Sequence, residues 1–111
     1  MVAGPYRSGA GATDPAAAEE NLRTLSRAAV AVFDRGHIPL IAVHAALPLI
    51  KIAGQDRYAE LMVTISLELA DRCDACLRIG GHSSGADAKV QRFVRAGKPV
   101  YTSIDQIPVQ S

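Results

Sequence analysis

Four short apolar runs alternate with three amphipathic stretches along this chain, and that alternation narrows the folds open to it more than any other feature. The runs are Met1-Val2-Ala3-Gly4, Ile38 to Val43, Ala75 to Ile79 and Lys98 to Thr102. Each reads as a strand, and Ile38 to Val43 has the length and composition of one buried on both faces. The stretches between them carry helical spacing. Strand and helix in strict alternation imply an α/β fold: a parallel sheet of about four strands with helices on both faces. Right-handed crossovers and a chain reversal favour the strand order 2-1-3-4, a Rossmann-like, flavodoxin-like arrangement.

The helices can be read from their ends. Asp14-Pro15 supplies an N-cap carboxylate followed by a proline at the first helical position. Leu22, Leu25, Ala29 and Val32 then repeat on one stripe until Gly36 stops the helix. A second helix runs from about Asp56 to Arg72 with Tyr58, Leu61, Met62, Ile65 and Leu69 on one face. A third turns Ala86, Val90, Phe93 and Val94 inward and ends at Gly97. Between the second run and the second helix lies His44 to Gly54, apolar but interrupted by Pro48. It reads as a lid, a subunit contact or core. The first run opens on the first residue, as a strand either short by nature or preceded by residues outside this chain.

At 111 residues the chain is a single domain, residues 1–111, with 49% hydrophobic residues and a net charge of +1. Basic and acidic residues are mixed along it, which argues against a nucleic-acid partner. No apolar run approaches a membrane span and no secretory signal pattern opens the chain, so a cytoplasmic protein is expected. Cys73 and Cys76 stand where a helix ends and a strand begins. A redox pair works at a helix start. With no other cysteine and with His37, His44 and His82 scattered, the pair reads as core or boundary thiols and no metal site is expected.

The chemistry is expected in two loops. Gly80-Gly81-His82-Ser83-Ser84-Gly85 leaves the third strand and enters a helix. Its glycines clear space for an anion to meet backbone amides, and Ser83 and Ser84 offer hydroxyls and an N-cap. Taken alone it reads first as a strand-to-helix turn that needs glycine for its dihedrals. Gly4-Pro5-Tyr6-Arg7, continuing to Gly11, leaves the first strand. In the order 2-1-3-4 the two loops face one another across the crevice where open sheets bind ligands. The pair therefore favours a phosphate- or sugar-binding cleft. Tyr6 could stack on a base or simply be packed. Asp87, in the first turn of its helix, is a helix-start acid or a catalytic carboxylate. Lys89 is a solvated helix residue or a phosphate contact.

The same residues carry a family resemblance. G-P-Y-R-S-G from Gly4, C-D-A-C-L-R-I-G-G-H-S-S-G-A-D-A-K-V from Cys73 and R-A-G-K-P-V-Y from Arg95 resemble the nucleoside 2-deoxyribosyltransferase superfamily and its uncharacterised relatives. The resemblance runs in order through nearly the whole chain. It implies a Rossmann-like sheet, a nucleoside or nucleotide ligand, no separate cofactor and a homodimer or larger homo-oligomer. It also implies that Ser83 and Gly85 contact phosphate or sugar and that Arg7 matches an arginine of nucleotide-cleaving members. Enzymes of the family attack the anomeric carbon with a glutamate. That glutamate should stand six residues after Ser83, where this chain has Lys89, and an aspartate of the family falls on Ser66. An ammonium cannot replace a carboxylate beside an oxocarbenium-like centre. The expectation is a nucleotide-binding protein without the familiar hydrolysis. The alternatives are an N-glycosidase or transferase that uses Asp87 or a neighbouring subunit's carboxylate, and an interaction module working through Leu47 to Ile52.

Overall fold

The computed structural model describes residues 1–7 and 14–110. Strand β1 (Val2–Ala3) is followed by helices α1 (Pro15–Asp34), α2 (Ala42–Ala53) and α3 (Tyr58–Arg72), then β2 (Cys76–Arg78), α4 (Ser84–Arg95) and β3 (Val100–Tyr101). The three strands form one parallel sheet in the order β1-β2-β3, with Val2 opposite Leu77 and Cys76 opposite Val100. The fold is α/β, a small three-stranded parallel sheet with four helices.

Period-two alternation along these short strands divides the interior into two layers. Met1, Ala3, Cys76 and Val100 face one side, where Ala86 and Phe93 of α4 and Ala70 of α3 pack on them. Val2, Leu77 and Tyr101 face the other, against Leu25 and Val32 of α1 and Ile107 near the C-terminal end. Phe93 is the largest fully buried side chain. Cys76 belongs to the first layer, and its burial pushes the thiol above its ordinary range. That suits a packed thiol and not a redox thiolate.

The helix ends follow their local chemistry. Asp14 Oδ1 accepts from the amide of Ala16 at 3.0 Å, capping α1 with Pro15 at its first position. At the other end Gly36 adopts φ +90°. Its amide donates to Phe33 and that of His37 to Val32, the paired bonds of a Schellman turn. Gly97, with φ +70°, closes α4 the same way, through Gly97 N to Val94 O and Lys98 N to Phe93 O.

The structure corrects the sequence in three places. The run Ile38 to Val43 is not a strand: residues 38–41 have no regular secondary structure, and α2 begins at Ala42. One bond, Val2 N to Leu40 O at 2.8 Å, ties this segment to the free side of β1. Pro39 has no amide to extend the ladder. Ala42, Val43, Ala46 and Ile50 form the buried stripe of a helix that claims the end of the run. For the same reason His44 to Ala53, expected to be a lid, a subunit contact or core, is helical. Ile50 is fully buried, whereas Leu49 and Ile52 are exposed. Finally, Val94 points outward while Lys89 takes a buried place on α4. Among the described residues no helix is long and apolar enough to cross a membrane.

Candidate functional site

Because β1 and β2 run parallel, the chain leaves both at the same end of the sheet, and the two glycine loops meet there. A Cβ built on Gly80 would stand 2.7 Å from Cδ of Pro5, and Gly80 itself adopts φ +79°. A Cβ on Gly4 would stand 2.8 Å from the carbonyl oxygen of Ile79 and 3.0 Å from Leu25 Cδ2. Glycine at these positions is what lets the loops touch backbone to backbone. Asn21 of α1 fixes the first loop by donating from Nδ2 to the carbonyl of Tyr6 at 2.8 Å. Ser8 to Gly11 lie outside the described residues.

Beside this junction is a cavity of about 260 Å³, walled by the first loop, by α3 and by the start of α4. Gly4, Tyr6, Arg7, Ser83, Gly85 and Lys89 all line it. The sequence brought these six forward, and the fold brings them together. Of the remaining expected residues, Pro5 and Gly80 form the junction, while Gly81, His82 and Ser84 are exposed and do not line the cavity. Gly85 is open: a Cβ there would meet nothing within 4 Å.

The polar groups divide by depth. Arg7, at the exposed rim, stacks its guanidinium 4.4 Å over the ring of Tyr58 and reaches Gln55 Oε1 at 3.4 Å. Burial raises the Tyr58 hydroxyl above its ordinary range, with Arg7 opposing. Ser83, Ser66 and Lys89 are buried, at 3%, 3% and 7% exposed. Ser83 caps α4, its Oγ accepting from the amide of Ala86 at 3.1 Å. Ser66 Oγ has no hydrogen-bond partner among the described residues. Such a group carries a cost unless a ligand or water meets it.

Lys89 is the strangest occupant. No ion pair or hydrogen bond among the described residues holds its ammonium. Burial pushes its pKa below the usual lysine range, the Cys76 thiol opposing and Arg78 adding to the fall. Asp87 of α4 pairs with Arg78, and Glu68 and Asp71 of α3 pair with Arg72 and Arg92. Asp87 is exposed and does not line the cavity.

The sequence did not single out Tyr58, Met62 and Val63 as cavity residues. Tyr58 and Met62 carry a core stripe's spacing, and only the placement of α3 against the first loop shows what they border. Ser66 did carry a signal, a hydroxyl flanked by the apolar Ile65 and Leu67 of that helix. Compared with protein-family models, with curated proteins and with solved structures, the chain matches none.

Proposed function

We propose that this chain is a nucleotide- or nucleoside-binding protein of Rossmann-like design, related to deoxyribosyltransferases but lacking their glutamate. The observation that carries the reading is the meeting of both glycine loops beside one cavity at the C-terminal ends of β1 and β2. That is where open parallel sheets take ligands. The segment Ile38 to Ile41, bonded to β1 through Leu40, stands in this reading as a rudimentary fourth strand.

The division by depth suits such a ligand. Arg7 and the start of α4 supply positive field at the rim for a phosphate. Tyr6 and Tyr58 offer rings to a base or sugar, and Ser66 and Ser83 offer hydroxyls to a sugar lying deeper. Lys89 stands where the family's nucleophile would stand, so the ligand is bound and its glycosidic bond is not cut.

The test is a thermal-shift screen of nucleosides and nucleotides, since a ligand that binds only the folded state raises the melting temperature. Nucleoside monophosphates should stabilise the protein more than nucleosides, and added salt should reduce the difference. Arg7→Ala should abolish the preference for phosphate. Absence of any shift across both series would refute the reading.

A further inference from the structure

We infer that Lys89 is a nucleophilic amine that captures a small carbonyl compound, the open-chain aldehyde of a sugar or sugar phosphate, as an imine in this cavity. The inference goes beyond nucleotide binding and does not need a base to be bound. It stands on the placement of one side chain. Lys89 lies on the inner face of α4, between buried Ala86 and Phe93, with 7% of its surface exposed. Lysines almost never go so deep unless paired, and no carboxylate among the described residues pairs with this one.

An unpaired buried ammonium is unstable, and the amine escapes the cost by giving up its proton. The groups facing it leave that state undisturbed. Cys76, on β2, is held as a neutral thiol by burial, and Arg78 disfavours a second cation nearby. Val43, Met62, Val63 and Leu67 keep the walls apolar. A neutral amine in an apolar pocket is the form that attacks carbonyl carbon.

The step balances without a further reagent. The nitrogen lone pair attacks the aldehyde carbon and a C–N bond forms. The carbonyl oxygen takes up the proton that the nitrogen loses, giving a carbinolamine. The carbinolamine C–O bond then breaks, the hydroxyl leaving as water with the second proton of the nitrogen, whose lone pair forms the C=N bond. The oxygen needs a donor as charge develops on it, and Ser66 Oγ, buried and without a partner among the described residues, lines the same cavity.

The experiment treats the full chain with 2-deoxyribose 5-phosphate and sodium cyanoborohydride at neutral pH, which reduces an imine to a stable secondary amine. Peptide mass mapping then locates the adduct. Lys89 should be modified at least about tenfold faster than the exposed Lys51. Lys89→Arg should lose that fast adduct while Lys51 is labelled as before. Ser66→Ala should slow modification of Lys89 by about tenfold, the loss of one hydrogen bond to the developing oxygen, without changing Lys51. Glyceraldehyde, which lacks phosphate, distinguishes the sources: equal rates identify a free sugar aldehyde, and a faster phosphorylated probe identifies a sugar phosphate. Labelling that follows exposure, with Lys51 first, overturns the inference. So does fast labelling that persists in Lys89→Arg. A nucleotide-induced thermal shift with no Lys89 adduct would refute this inference alone, whereas an adduct with no nucleotide shift would refute the nucleotide reading alone.

Discussion

Oδ1 of Asp87 accepts a hydrogen bond from Nε of Arg78 at 3.2 Å, across the turn that joins β2 to α4. Arg78 is the more buried partner, with its side chain 15% exposed against 57% for Asp87. The same guanidinium also donates to the carbonyls of Ile79 and Gly81. The carboxylate nearest the glycine-rich segment therefore braces its loop from outside the cavity.

Deoxynucleoside monophosphates incubated with the protein should release no more base than buffer does, as followed by chromatography. Asp87→Asn should leave nucleotide binding within about twofold, since a half-exposed ion pair contributes only about 0–1 kcal/mol. Robust base release that disappears in Asp87→Asn would make this residue the catalytic acid or nucleophile.

Two glycines of the site should respond in opposite ways. Gly4→Ala forces a Cβ to 2.8 Å from the Ile79 carbonyl and should lower the melting temperature markedly, because backbone cannot step aside. Gly85→Ala meets open space and should stabilise the fold by roughly 0.5–1 kcal/mol through helix propensity. Its ligand-induced shift should nevertheless shrink, as the methyl enters the cavity. Equal destabilisation by both changes would count against the geometry of the junction.

Ser66→Ala should raise the stability of the unliganded protein by about 1 kcal/mol, because the hydroxyl removed is buried without a partner among the described residues. Chemical denaturation measures this directly. A loss of more than about 1 kcal/mol would mean that the hydroxyl is bonded in the unliganded state, and would remove it from the site.

Lys89→Met should stabilise the protein most strongly below the folded-state pKa of Lys89 and progressively less above it. Burial lowers the folded-state pKa of Lys89 beneath its ordinary value of 10.5. Between those two values the unfolded chain binds the extra proton, so wild-type stability rises with pH through that window, and below it the penalty is fully present. Each kcal/mol relieved corresponds to roughly 4–8 °C in melting temperature for a domain near this size. The gain should shrink as pH approaches 10.5. A gain independent of pH would assign it to packing.

Assembly is expected through α2. Leu49 and Ile52 are 51% and 89% exposed there, and Val63 on neighbouring α3 is 56% exposed. Light scattering should give at least a dimer, and Leu49→Asp should dissociate it without lowering the melting temperature of the subunit. Ile50→Asp, one residue along and fully buried, should instead unfold the chain. A wild-type monomer at high micromolar concentration would dispose of the expectation.

What could be read in advance was whatever is decided within a few residues. Asp14-Pro15, Gly36 and Gly97 announce helix ends because capping is local chemistry. The apolar runs at residues 1–4 and 75–79 hold strands because each is too short for a buried helix and its backbone groups need a neighbouring strand. Ile38 to Val43 defeated that logic: its apolar composition suits a strand or a buried helix start equally, and the stripe through Ala46 and Ile50 decided. Lys89 defeated it more deeply. Helical spacing places residue 89 on the same stripe as Ala86 and Phe93, yet its charge argues for solvent, and only the packed cavity shows which consideration wins. The meeting of the two loops was legible because parallel strands put successive loops at one end. The third wall, from α3, was not, since nothing local says against what a helix will lean.

The pairing of Val2 with Leu77 has a consequence for a chain made from its N-terminus. The first strand emerges with no neighbour and must wait while three helices are synthesised before its ladder exists. Its earliest hydrogen bond is to Leu40, and the parallel partner follows only when residues 77 to 79 have left the ribosome. Closing so long a loop is slow compared with winding a helix. A nascent chain halted before residue 75 should therefore carry α1, α2 and α3 as loosely held helices, with the apolar first strand uncovered and available to chaperones.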